Sequence, residues 1–103
     1  MADEKRIAYV TGGMGGIGTA ICRKLYSLGF TVIAGCGPKR DIDSWLSEQR
    51  NDGYDFFHSV GNVSDWESTK SAFKIVRESI GQVDILVNNA GITRDTTFTK
   101  MDL

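Results

Sequence analysis

Apolar residues recur along this chain in two alternating rhythms. Ile7-Ala8-Tyr9-Val10 is a short continuous apolar run and predicts a strand, whereas Ile17, Ala20, Ile21, Leu25 and Leu28 fall on one face of a helix. Gly29 follows the last of these and reads as the helix C-cap. Phe30-Thr31-Val32-Ile33-Ala34 is β-branched and apolar and predicts a second strand, which Gly35-Cys36-Gly37-Pro38 breaks. Residues Ile42 to Arg50 predict a helix with Trp45 and Leu46 facing inward, and Tyr54 to Val60 alternates closely enough for a third strand. Ser64 is an N-cap candidate with Glu67 three residues on. A helix from there to about Ile80 uses Trp66, Ala72, Phe73 and Val76 and ends at Gly81. Val83 to Val87 predicts a fourth strand, closed by Asn88-Asn89-Ala90-Gly91, and Thr93 to Leu103 reads as a loop entering another helix. The order is β-α-β-α-β-α-β. Short strands alternating with helices imply right-handed crossovers and a parallel sheet covered on both faces.

Composition narrows the function classes. The 103 residues are 41% hydrophobic and 24% charged, with a net charge of -1, as in an ordinary globular domain. That charge gives no reason to expect a nucleic-acid partner, and no apolar run is long enough to span a membrane. Met1 to Arg6 is charged and lacks the apolar core of a signal peptide. Cys22 and Cys36 form no Cys-x-x-Cys pair and have no histidines at ligand spacing, so no metal site is expected. They read as reduced thiols of a cytoplasmic protein, Cys22 as a small buried hydrophobe and Cys36 as a loop residue. The single histidine, His58, reads as structural, and Trp45 and Trp66 as packing anchors.

The chemistry begins at Thr11-Gly12-Gly13-Met14-Gly15-Gly16-Ile17-Gly18, between the first strand and the first helix. Strand, glycine turn and helix N-terminus make a cradle for a diphosphate: missing side chains allow close approach, and unpaired N–H groups at the positive end of the helix dipole face the anion. The spacing is not G-x-G-x-x-G, and Thr19-Ala20 after Gly18 excludes a mononucleotide P-loop. Two further motifs, Gly61-Asn62-Val63 and Asn88-Asn89-Ala90-Gly91, follow the third and fourth predicted strands, at the strand ends where open parallel sheets bind ligands. In that order and spacing the three motifs resemble the short-chain dehydrogenase/reductase family. From about Arg6 onward the chain is similar to one branch of it, the NADPH-dependent acetoacetyl-CoA reductases of polyhydroxybutyrate synthesis. The Gly-Gly-Met-Gly-Gly turn and Cys36-Gly37-Pro38 carry that likeness. Asn89-Ala90-Gly91-Ile92-Thr93-Arg94-Asp95 is shared with the 3-oxoacyl-acyl-carrier-protein reductases and leaves that alternative open.

The resemblance implies an α/β, Rossmann-type doubly wound parallel sheet, with residues 1–103 as its NADP-binding N-terminal half. It assigns Gly12 to the tight turn, Met14, Gly15, Gly16 and Ile17 to the diphosphate and ribose, and Gly18 to close helix–strand packing. Asn62 and Val63, after Gly61, are expected at the adenine; Asn62 stands where many relatives carry Asp. Asn89, Ala90, Gly91, Ile92 and Thr93 are expected to run past the ribose toward the nicotinamide, although Asn88-Asn89 also fits a strand-ending Asx turn. Asp95 is a substrate contact or, equally, a helix cap.

The form of the cofactor can be argued from charge. NAD sites place a carboxylate at the end of the second strand, about 20 residues past the glycine turn. Gly35-Cys36-Gly37 occupies that place here, and Lys39 and Arg40 follow. Arginine can hold a 2′-phosphate bidentately, which favours NADP(H), with Arg40 as the main contact and Lys39 as the alternative. Asp41 and Asp43 keep a merely solvated basic pair in play. The family reduces a ketone by hydride transfer from the nicotinamide, with a tyrosine of a Tyr-x-x-x-Lys pair donating a proton and a serine orienting the carbonyl. Tyr9, Tyr26 and Tyr54 are followed four residues on by Gly13, Phe30 and His58, so none fits that pair. The chain is therefore expected to be the cofactor-binding piece of a longer, tetrameric enzyme acting on an acyl-CoA thioester, marginally folded and inactive alone. A non-enzymatic NADP-binding module is the competing class.

Overall fold

The computed structural model describes residues 6–62 and 65–89. Seven elements follow one another: β1 (Ile7–Thr11), α1 (Gly16–Ser27), β2 (Thr31–Cys36), α2 (Ile42–Asn51), β3 (Phe57–Val60), α3 (Trp66–Ser79) and β4 (Ile85–Asn88). The strands form one parallel sheet in the order β3-β2-β1-β4. The chain steps outward from β1 to β2 to β3, then returns to the far side of β1 as β4. This reversal beside β1 opens a crevice at the carboxyl ends of the strands.

Burial follows the pleat. Val10, Val32 and Ala34 point to the face covered by α1 and α2, where they meet Cys22, Trp45 and Phe56. Tyr9 and Ile33 point to the opposite face and meet Val76 of α3, flanked by Phe73 and Ile80. Both faces of β1 and β2 are therefore dry, which is why these strands read as unbroken apolar runs rather than as alternation. Rings dominate the α1/α2 side: Trp45 stacks on Phe56 at 5.4 Å and Tyr54 on Phe56 at 5.7 Å. Arg23 binds α1 to α2, donating to the buried Gln49 at 2.8 Å and pairing with Asp52 at 2.7 Å.

Helix ends obey local chemistry. Gly29, at φ 99°, closes α1: its N–H donates to Tyr26 and that of Phe30 to Leu25, a Schellman arrangement. Gly53, at φ 91°, repeats the same pattern after α2. Asp41 caps α2 by accepting from the Ser44 N–H at 3.2 Å. Among the described residues no helix is long and apolar enough to cross a membrane.

Four expectations need correction. Gly35 and Cys36 do not break β2 but complete it, and Cys36 is a buried strand residue rather than a loop residue. β3 begins at Phe57, not Tyr54, because Tyr54 and Phe56 are taken up by the aromatic cluster before strand pairing starts. The cap of α3 is Asp65, whose carboxylate accepts from both Glu67 and Ser68 N–H groups; Ser64 lies outside the described residues. Trp66 is 69% exposed. It is the first residue of a helix ~21 Å long packed on strands as short as ~13 Å, so the first turn has too little sheet to cover it.

Candidate functional site

The carboxyl ends of all four strands converge on one region. After β1, Gly12 takes a left-handed φ of 63°, and its carbonyl accepts from the Gly15 N–H at 3.3 Å, closing the turn. A side chain on Gly18 would collide with the Gly12 carbonyl, so α1 can start here only with glycine at that position. A Cβ on Gly13 would come within 2.9 Å of the Ala34 Cα, and the Gly13 N–H donates to the Gly35 carbonyl at 2.8 Å. The turn is thus pressed against β2. On its outer side a Cβ at Gly16 meets nothing within 4 Å. Helix α1 has Gly15 as its N-cap, no side-chain capping bond and no acidic residue in its first turn. Its leading N–H groups are therefore left for an anion.

β4 is laced to this turn. The Asn89 N–H donates to Thr11 Oγ1 at 2.8 Å, and Asn89 Nδ2 donates to the Gly12 carbonyl at 3.1 Å. Thr11 Oγ1 in turn lies 3.2 Å from Asn88 Oδ1. Asn88 and Asn89 do more than end a strand, since they fix the glycine turn across the crevice.

Between the ends of β1, β2 and β3 lies a cavity of about 130 Å³, walled by Tyr9, Gly12, Cys36, Gly37, Asn62 and Phe73. It adjoins an open trough along Gly37, Pro38, Lys39, Arg40, Asp41 and Asn62. Asn62 is held by its backbone: its N–H donates to Ser68 Oγ at 2.9 Å, and its carbonyl accepts from Asp65 and Thr69. Gly61 is anchored by donation to the Cys36 carbonyl at 2.9 Å. A Cβ on Gly61 would press on that of Ala72 at 3.0 Å.

The guanidinium of Arg40 lies over the glycine turn, with Nη2 3.8 Å from where a Gly15 Cβ would stand. Among the described residues it has no carboxylate partner, and the neighbouring Asp41 carboxylate is engaged in capping α2. Burial pushes the Cys36 thiol up, with the Arg40 charge pulling the other way. Burial also raises Tyr9, whose hydroxyl donates to Ser59; its shift is opposite to what proton donation near neutral pH requires.

Of the positions singled out by sequence, the fold brings together Gly12, Gly15, Gly16, Ile17, Gly18, Gly37, Arg40, Gly61, Asn62 and Asn89. The Met14 side chain is a correction. It is 4% exposed and packs in the core beneath α1 and α2, so only its backbone can line the turn. Val63, Ala90, Gly91, Ile92, Thr93 and Asp95 lie outside the described residues. Sequence reasoning passed over Tyr9, Gly13, Thr69 and Phe73. For Tyr9 the available signal was a hydroxyl in an otherwise apolar strand.

Comparison with known proteins agrees with this fold. The family model "short chain dehydrogenase" matches residues 6–103. An acetoacetyl-CoA reductase of Cupriavidus necator is 60% identical over 98 residues, which are 94% of this chain and 40% of that protein. A 3-oxoacyl-[acyl-carrier-protein] reductase of Staphylococcus aureus is 38% identical over 95 residues, 91% of this chain and 39% of that protein. Among solved structures, an F189W actinorhodin polyketide ketoreductase with NADPH superposes with a TM-score of 0.78 at 28% identity, covering 95% of this chain and 38% of the other. The chain thus spans about two-fifths of the length of the curated relatives it matches.

Proposed function

The chain belongs to the short-chain dehydrogenase family, and on that premise we propose that it is the cofactor-binding part of an NADPH-dependent reductase that converts acetoacetyl-CoA to 3-hydroxybutyryl-CoA. The observation that carries the cofactor reading is the Arg40 guanidinium, unpaired among the described residues and lying over the glycine turn, at a strand end with no carboxylate. The 60% identity to an acetoacetyl-CoA reductase supports the substrate.

The residues fit a dinucleotide. Open space above Gly16 and Gly37 leaves backbone accessible where side chains would obstruct it. Gly12 closes the turn and Gly18 lets α1 approach it, so the backbone of Met14, Gly15, Gly16 and Ile17 lies along the diphosphate and ribose at the positive end of α1. Arg40, with Lys39 beside it, takes the 2′-phosphate. Gly37, Gly61, Asn62 and Val63 enclose the adenine, and the amide of Asn62 can both donate and accept there. Asn89, Ala90, Gly91, Ile92 and Thr93 line the way to the nicotinamide, which supplies a hydride when bound, and Asp95 meets the acyl-CoA. By the same family likeness the whole protein is a homotetramer; this chain's cysteines read as the reduced thiols of a cytoplasmic protein, and its net charge gives no reason to expect a nucleic-acid partner.

Reduction of an acyl-carrier-protein thioester is the second reading, left open by the shared segment Asn89 to Asp95 and favoured by the Staphylococcus relative. The test uses the polypeptide expressed with whatever reading frame follows Leu103. Calorimetric titration with NADPH and NADH reads the cofactor, and turnover of acetoacetyl-CoA against the matching acyl-carrier-protein thioester reads the substrate. Preference for the carrier-protein thioester would replace the first reading with the second. No affinity for either nucleotide would remove both.

A further inference from the structure

We propose that Trp45 is a positioning residue for the glycine turn, acting through Thr19 on Gly13; this rests on the reading of that turn as the diphosphate cradle. Trp45 is 7% exposed in α2, and its Nε1–H donates to Thr19 Oγ1 of α1 at 3.0 Å. The same hydroxyl donates to the Gly13 carbonyl over a longer 3.4 Å, and Cys22 Sγ approaches that carbonyl at 3.7 Å. The other side of the Gly13 peptide is fixed by donation to Gly35 and by contact with Ala34.

The relay follows from donor arithmetic. An indole N–H can only donate, while a hydroxyl has one proton and a free rotor. With the Trp45 N–H on one lone pair, the Thr19 proton is directed away from it, toward Gly13. Without the indole, a threonine in the first turns of a helix is free to turn back to the carbonyl four residues earlier. Here that is Gly15, whose carbonyl already accepts from the Thr19 N–H at 2.8 Å. The Gly13 carbonyl then loses its hydroxyl partner, and the turn whose adjacent amides face the diphosphate loses a restraint. Trp45 also sits four residues after Asp41, the cap that follows Arg40. One indole therefore sets the α2 end that carries the 2′-phosphate contact against the turn that carries the diphosphate.

The experiment measures NADPH and NADH dissociation constants and melting midpoints for Trp45→Phe, Thr19→Val, the double variant and Thr19→Ser, all in the full natural polypeptide. Phenylalanine keeps an aromatic ring beside Phe56 and removes the donor along with part of the indole's volume, a packing loss that the melting midpoint reads and the dissociation constants of folded protein do not. Each single variant is expected to weaken both nucleotides alike, by about three- to tenfold, the worth of one neutral hydrogen bond. The double variant should be no weaker than either single one, and Thr19→Ser should bind as the unsubstituted chain does. A purely structural Trp45 would lower the melting midpoint and leave the dissociation constants of folded protein unchanged, which overturns the proposal. Additive losses, or a loss for NADPH alone, overturn it too. If Trp45→Phe does not fold, Thr19→Val against Thr19→Ser decides alone. If the unsubstituted chain binds neither nucleotide, the cofactor reading falls and this inference with it. Binding that is unchanged in every variant removes only the relay.

Discussion

The hydroxyl of Tyr9 donates to that of Ser59 at 2.9 Å, joining β1 to β3 across the strand that separates them. Tyr9 pairs with Ile33 and Ser59 with Gly35, so the ring leans diagonally over Gly35 to reach its partner. A Cβ at Gly35 would come within 2.8 Å of Tyr9 Cε1, and Phe73, with ring centroids 4.5 Å apart, holds the tyrosine in place. Gly35→Ala should therefore destabilise the fold by roughly 1–3 kcal/mol, the usual cost of overpacking. Tyr9→Phe strands the buried Ser59 hydroxyl and should cost about 1–2 kcal/mol. Urea denaturation checks both. An alanine variant as stable as the parent would show that the ring has room to move.

Arg40 should govern the choice between the two nucleotides. Arg40→Ala removes charge-assisted bonds to a phosphate that NADH lacks, so the NADPH dissociation constant should rise at least about tenfold. The NADH constant should change little, because Arg40 contributes no atom to the walls of the smaller cavity. Lys39→Ala measured alongside separates the two cations, and equal losses for both nucleotides in Arg40→Ala would end the 2′-phosphate assignment.

The fold was legible where one local signal decided it. Gly29 ends α1 because only a left-handed residue closes a Schellman turn, and Trp45 faces inward because its spacing says so. Gly35 misled because two physical causes leave the same mark: glycine breaks strands, and glycine also lets another side chain cross one. Trp66 misled because periodicity reports a helix face but not whether a sheet lies beneath it. That Arg40 lies beside the glycine turn was legible from its place after β2. Gly13, Tyr9 and the Trp45–Thr19 contact were not, because their hydrogen-bond partners are 22 to 50 residues away and no local pattern encodes the meeting.

Alkali should weaken the fold through its buried acids. Burial pushes the Cys22 thiol up to about 12, from an ordinary value of 9.0, and also raises Cys36 and Tyr9. Each group stays protonated in the folded chain after its unfolded counterpart has ionised. The unfolded state then binds fewer protons, so stability falls with rising pH. For Cys22 the contribution is intact below about pH 9 and drains away toward pH 12. Denaturation midpoints should thus be flat from pH 7 to 8.5 and decline above. Cys22→Ala should start lower because of the lost packing, yet decline less steeply; an identical slope would remove Cys22 as a source.

Gly16 and Gly18 stand two residues apart and should answer alanine in opposite ways. At Gly18 a methyl meets the Gly12 carbonyl, which is backbone and cannot rotate aside. The turn must open, so Gly18→Ala should lose both stability, by roughly 3 kcal/mol or more, and measurable nucleotide affinity. At Gly16 a methyl meets nothing, and the position is the first residue of α1. Alanine there restricts the unfolded chain without native strain and should stabilise by about 0.4–1 kcal/mol. The same methyl stands on the open side of the turn, where a diphosphate must come close to the backbone. Gly16→Ala should therefore melt higher and bind NADPH and NADH more weakly. Thermal melts with and without nucleotide separate the two effects, since ligand raises the midpoint only as far as its affinity allows. If Gly16→Ala proves more stable and still binds as the parent does, the diphosphate does not lie over this turn.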